Sequence, residues 1–125
     1  MESHLILPRI SRITKAIGYS IEGLKATFQT ERAFQEEVLL SIILMPLAFY
    51  LAPNFTELVL LLLPLAILLI VEIINSAIEA TVNLATNQIH PLAKKAKDAG
   101  SAAVLLSLIW LAFTWIAFLL KYDVL

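Results

Sequence analysis

Three runs without a charged side chain constrain this 125-residue chain more than any other feature. Residues 38–56 give 19 such positions, residues 58–71 give 14, and residues 99–120 give 22. The middle run continues as an apolar pattern to Val82 once Glu72 and Glu79 are admitted into it. About 20 helical residues cross a hydrocarbon layer of roughly 30 Å. Lipid offers no partner to a free backbone amide, so spans of this kind are helices. Hydrophobic residues make up 60% of the chain and charged ones 15%. A soluble unit of this size has too small an interior for that much apolar surface. The expected class is therefore an all-α integral membrane protein forming one domain. Pro46 and Pro64 fall inside the first two spans, where kinks are expected. The absence of cysteine excludes thiolate chemistry and a disulfide framework. A net charge of −1 gives no basic field to attract nucleic acid.

The N-terminal segment has a different pattern. Ile10, Ile13, Ile17, Ile21, Leu24 and Phe28 recur at spacings of 3, 4, 4, 3 and 4, while Arg12, Lys15, Ser20, Glu22 and Lys25 occupy the other faces. This predicts an amphipathic helix lying in the membrane surface over about residues 10–29. The alternative is a helix packed on the bundle. Spans are expected at about 33–52, 57–85 and 93–121. Eight of the 9 basic residues lie before the first span or between the second and third. The positive-inside rule then puts the N-terminus and the 83–98 loop in the cytoplasm and the C-terminus outside.

Glu72, Asn75, Ser76 and Glu79 share one face of the second span, at offsets of 3, 4 and 7. At 1.5 Å per residue, Glu72 lies about 21 Å and Glu79 about 31 Å from the outer end of that run. A carboxylate at the depth of Glu72 costs a few kcal/mol unless it is paired, hydrated or protonated, and it marks a functional position. The plainer account is a polar stripe that ties helices together. Before the third span come Lys94, Lys95, Lys97, Asp98, Gly100 and Ser101. Asp98 is expected to cap a helix start whose free amides, with Lys97, hold an anion. Gly100 and Ser101 are expected to keep that turn small. The ordinary role of such lysines is to fix topology. Before the first span, Glu31, Glu36 and Glu37 resemble common helix-start chemistry. Glu31 also falls at the same membrane boundary as Glu79. Two carboxylates plus phosphate oxygens form the hard-oxygen set that Mg²⁺ prefers. Neither His4 nor His90 has a metal-binding partner at useful spacing.

Metal, phosphate cradle and a group that orients a hydroxyl are the parts of a phosphotransferase. A proton-coupled transporter and a membrane scaffold are the competing classes. A transporter needs polar residues through the outer half of the membrane, and residues 58–71 have none. A scaffold has no need of a carboxylate at Glu72.

The pattern Glu72-Ile73-Ile74-Asn75-Ser76-Ala77-Ile78-Glu79, followed by Ala96-Lys97-Asp98-Ala99-Gly100-Ser101-Ala102-Ala103, resembles the prokaryotic integral-membrane diacylglycerol kinases. The segment 12–20, Gly23-Leu24, and Glu31 with Ala33, Phe34 and Glu37 extend the likeness over residues 9–120. The resemblance implies a homotrimer, each subunit with a surface helix and three spans, with sites between neighbouring subunits. It implies Mg²⁺- and ATP-dependent phosphorylation of diacylglycerol to phosphatidic acid at the inner membrane of a bacterium. Carried over by position, Glu72 is the general base, and Glu31 and Glu79 hold the metal. Arg12, Tyr19, Glu31, Glu79, Gln88, His90, Lys97 and Asp98 contact nucleotide, while Arg12, Phe34, Glu72, Asn75 and Ser101 contact lipid. Three positions depart from the family pattern. Asn83 stands where Asp is common, Gln35 where a basic residue is common, and Gln88 where some members have Glu. A sister branch phosphorylates undecaprenol; the segment 31–37 looks more like the diacylglycerol branch.

Overall fold

The computed structural model describes the backbone of residues 3–125 and the side chains of residues 8–125, so the side chain of His4 lies outside the described residues. Four helices follow one another: α1 (Ser3–Thr30), α2 (Arg32–Leu51), α3 (Phe55–Ala85) and α4 (Pro91–Lys121). Among the described residues, α2, α3 and α4 are the helices long and apolar enough to cross a membrane. Pro46 and Pro64 lie inside α2 and α3, and both helices continue through them. The α2–α3 turn closes on Asn54, whose side chain accepts the Glu57 N–H at 2.9 Å and so caps α3.

Each of α2, α3 and α4 buries a single stripe with helical periodicity. In α3 the stripe is Leu61, Leu65, Leu68, Glu72 and Asn75; in α4 it is Gly100, Ser107, Leu111, Trp115 and Phe118; in α2 it is Phe34, Glu37, Ser41 and Ala48. The apolar halves of these stripes form the core, with Ala48, Leu61, Leu65, Leu68, Leu111, Trp115 and Phe118 in one cluster. The other halves are polar or small apart from Phe34. The α3 face that packs leucine toward Asn54 therefore presents Glu72 and Asn75 at the opposite end.

The broadest packing is between α3 and α4; α2 lies on α3, and α1 makes lighter contact with α2 and α3. Trp115 Nε1 donates to Leu61 O at 3.2 Å, a buried bond into the turn of α3 just before Pro64. Trp115→Phe removes that donor and should lower resistance to SDS-induced unfolding by about 1 kcal/mol, the scale of an interhelical bond in lipid. At the same end, Lys121 Nζ and Tyr122 Oη both donate to Glu57 Oε1, tying the last turn of α4 to the first of α3.

Along α1, Ile10, Ile13, Ile17, Ile21, Leu24 and Phe28 remain between 46% and 60% exposed. Among the described residues, nothing covers that stripe fully. The same is true of the spans, of whose most apolar stretches only 22%, 28% and 22% is buried.

Candidate active site

The polar ends of the stripes meet at one end of the bundle. Glu72 is 4% exposed, Glu37 7% and Asn75 8%. Glu37 Oε2, Asn75 Oδ1 and Ser76 Oγ are buried without a hydrogen-bond partner. Burying such groups unpaired costs about 1–3 kcal/mol each. The charges of Glu31 and Glu79 act on Glu72, and that of Glu72 acts on Glu37. Four carboxylates, from α2, α3 and the α1–α2 corner, thus share one region. A concentration of like charge of this kind attracts a cation.

Gly100 sets how closely α4 approaches this cluster. A Cβ placed on Gly100 would collide with Asn75 Oδ1 and lie 3.3 Å from Asn75 Cγ. The expectation that Gly100 shapes a helix-start turn is corrected here. It lies inside α4 and admits the Asn75 amide, as small residues do where membrane helices pack closely. Asp98 does not cap α4 either. His90 does, with Nδ1 accepting the Leu92 N–H at 3.1 Å and Pro91 starting the helix. Asp98 lies two turns further in and pairs with Lys94. Asp98 fails as a cap because Pro91, whose fixed φ and missing N–H suit a first helical turn, starts the helix earlier.

A groove of about 610 Å³ runs between α1 and α3. Ser20, Gly23, Thr27, Thr30 and Glu31 line one side, and Ile73, Ser76, Ala77 and Ala80 line the other. It is mostly apolar and carries Glu31 and Ser76 on its walls. A second groove of about 380 Å³ gathers Asn83, Thr86, Gln88, His90, Lys94, Lys97 and Asp98. Four of the expected nucleotide contacts therefore share one place, and Glu31, Glu72, Asn75 and Glu79 share another. Arg12 lies at a separate depression with Arg9 and Ile13 on α1, and Tyr19 is 70% exposed. The single chain does not bring Arg12 and Tyr19 to either groove. Phe34 is buried at 4% exposure, and Ser101 is exposed on α4.

Among the described residues, no three His, Cys, Asp or Glu side chains converge as a ready-made metal cage. The donors near Glu72 are nevertheless oxygens: the carboxylates, Asn75 Oδ1 and Ser76 Oγ. Mg²⁺ bound through one or two carboxylates and substrate phosphates needs no such cage, so the residues present fit that ion.

Glu37 is the residue that sequence reasoning passed over. Beside Arg32 and Glu36 it reads as ordinary helix-start charge. The available signal was its place in the stripe Phe34, Glu37, Ser41 and Ala48, at spacings of 3, 4 and 7.

Comparison with known proteins decides the family. The model of the family described as prokaryotic diacylglycerol kinase matches residues 18–119. The chain belongs to the prokaryotic diacylglycerol kinase family. Its similarity to members of that family extends over most of its length. It is 45% identical to the diacylglycerol kinase of Pseudomonas aeruginosa over 111 residues, covering 89% of this chain and 90% of that one. It is 45% identical to the diacylglycerol kinase of Helicobacter pylori strain J99 over 109 residues, 87% and 85% of the two chains. The diacylglycerol kinase of Escherichia coli strain K12 is 42% identical over 105 residues, 84% and 86% of the two. Within this family the matched segment contains every expected site residue except Arg12, which precedes it.

Proposed function

We propose that this chain is an ATP-dependent diacylglycerol kinase working at the cytoplasmic edge of a bacterial inner membrane. The observation that carries the reading is Glu72, a carboxylate buried in the line of the α3 core stripe, next to an apolar groove that bears Glu31. Diacylglycerol lies with its acyl chains in lipid and its free hydroxyl at the polar cluster. Glu72 accepts the hydroxyl proton as the oxygen attacks the γ-phosphorus of ATP. The bond from that phosphorus to the β–γ bridging oxygen breaks, giving phosphatidic acid and ADP. Asn75, Phe34, Ser101 and Arg12 orient the lipid. Lys97, Asp98, Gln88, His90, Arg12 and Tyr19 hold the nucleotide. Glu31 and Glu79 hold Mg²⁺ together with the phosphate oxygens. When bound, that ion neutralises charge on the phosphate chain and aligns it for transfer.

The working unit is a homotrimer of single-domain subunits, with each site shared between neighbours. Two features support this: the lysine-bearing groove is separate from the Glu72 cluster in one chain, and most span surface is uncovered. The exposed stripe of α1 lies in the membrane surface, with the N-terminus and the α3–α4 loop cytoplasmic and the C-terminus outside, as the distribution of basic residues requires. A transporter reading lacks support because residues 58–71 of α3 are apolar.

Two experiments test this function. Glu79→Ala should raise the Mg²⁺ concentration for half-maximal rate at least about tenfold, since losing even an outer-shell metal partner costs 10–100-fold in affinity. An unchanged Mg²⁺ titration contradicts the metal assignment. Offered dioleoylglycerol and undecaprenol in parallel, the enzyme should prefer dioleoylglycerol. Preference for undecaprenol moves it to the sister specificity with the same mechanism.

A further inference from the structure

The α1–α2 corner is a single residue. Glu31 separates two helices with φ −110° and ψ 108°, and its own side chain makes no capping hydrogen bond. Its N–H donates to Thr27 O at 2.9 Å, and its carbonyl accepts the Gln35 N–H at 3.2 Å. These backbone bonds leave the angle between the helices open. Among the described residues, one side-chain hydrogen bond crosses the corner: Gln35 Nε2 donates to Phe28 O at 2.6 Å. The Phe28 carbonyl is among the last of α1, where helix carbonyls lack an intrahelical donor. Gln35 supplies that donor from α2, one turn beyond Glu31 and on the same face. Gln35 is exposed, so its contribution is this bond and not core packing.

We propose that Gln35 is a positioning residue that fixes the α1–α2 corner and thereby aims Glu31 across the groove at the Ser76–Ala80 turn of α3. The proposal rests on the reading of Glu31 as a metal-holding carboxylate.

Mn²⁺ binding tests it. Electron paramagnetic resonance of free Mn²⁺ gives the affinity of the full-length protein in detergent micelles with a non-hydrolysable ATP analogue. Gln35→Ala should weaken Mn²⁺ binding about fivefold, the scale of one lost hydrogen bond. Gln35→Arg restores an N–H donor and should bind within about twofold of the parent. Electrostatics alone predicts the reverse order, because the added cation repels Mn²⁺. In a Glu31→Gln background, Gln35→Ala should add no further loss. Parent-like binding by Gln35→Ala, failure of Gln35→Arg to restore it, or full additivity with Glu31→Gln overturns the proposal and leaves the metal reading standing. If Glu31→Gln alone binds Mn²⁺ like the parent, the metal reading of Glu31 falls and the proposal falls with it.

Discussion

Glu72→Gln should lower kcat by about 10²–10⁴-fold, the span that a positioned general base contributes. The substitution keeps the side chain's size and removes its ability to take a proton. Because Glu72 is buried at 4% exposure beside other carboxylates, replacing it with a neutral amide relieves repulsion and should leave the fold intact or firmer. The expected signature is a collapsed kcat, a KM for ATP changed by less than about threefold, and unchanged oligomer size in detergent. Loss of activity only together with loss of the oligomer would contradict the assignment of Glu72 as base. A simple structural role predicts that the amide works as well as the acid.

The second large effect is expected at Gly100. A methyl group there would collide with Asn75 Oδ1. Either α4 moves away from α3 or the Asn75 amide swings out of the cluster. Overpacking of this kind costs about 1–3 kcal/mol. The amide is the softer partner, so Gly100→Ala should lose more activity than stability, at least about tenfold in kcat/KM at 1.4 kcal/mol per decade. The double variant Gly100→Ala with Asn75→Ala relieves the collision. It should regain resistance to SDS unfolding while its kcat/KM stays low. If both properties recover together, Asn75 acts only as a spacer between helices.

Much of this arrangement is legible in the sequence, for physical reasons. Lipid tolerates no charge, so uncharged runs mark spans directly, and Glu72 stands out by interrupting one of them. Glu37 does not stand out because it sits among Arg32, Glu36 and Gln35, where charge is normal. Its burial depends on which face of α2 meets α3, and that is a tertiary fact. The cap of α4 is hidden for a related reason. The lysine-rich stretch reads as loop, yet Pro91 and the His90 cap begin the helix there and carry Lys94, Lys97 and Asp98 on its first turns. The partnership of Glu57 with Lys121 and Tyr122 joins residues more than 60 positions apart, and local pattern gives no hint of it. The bond from Gln35 to Phe28 spans only seven residues, but it depends on the helix breaking at Glu31.

The most direct test is the transfer reaction itself. The purified protein is placed in mixed micelles with dioleoylglycerol and Mg-ATP labelled in the γ-phosphate, and label is followed in the lipid and aqueous phases. The account predicts labelled phosphatidic acid that accumulates in proportion to enzyme, requires the acceptor lipid and disappears in Glu72→Gln. A well-folded oligomer that moves no label into dioleoylglycerol or undecaprenol, or one whose transfer survives Glu72→Gln, would contradict it.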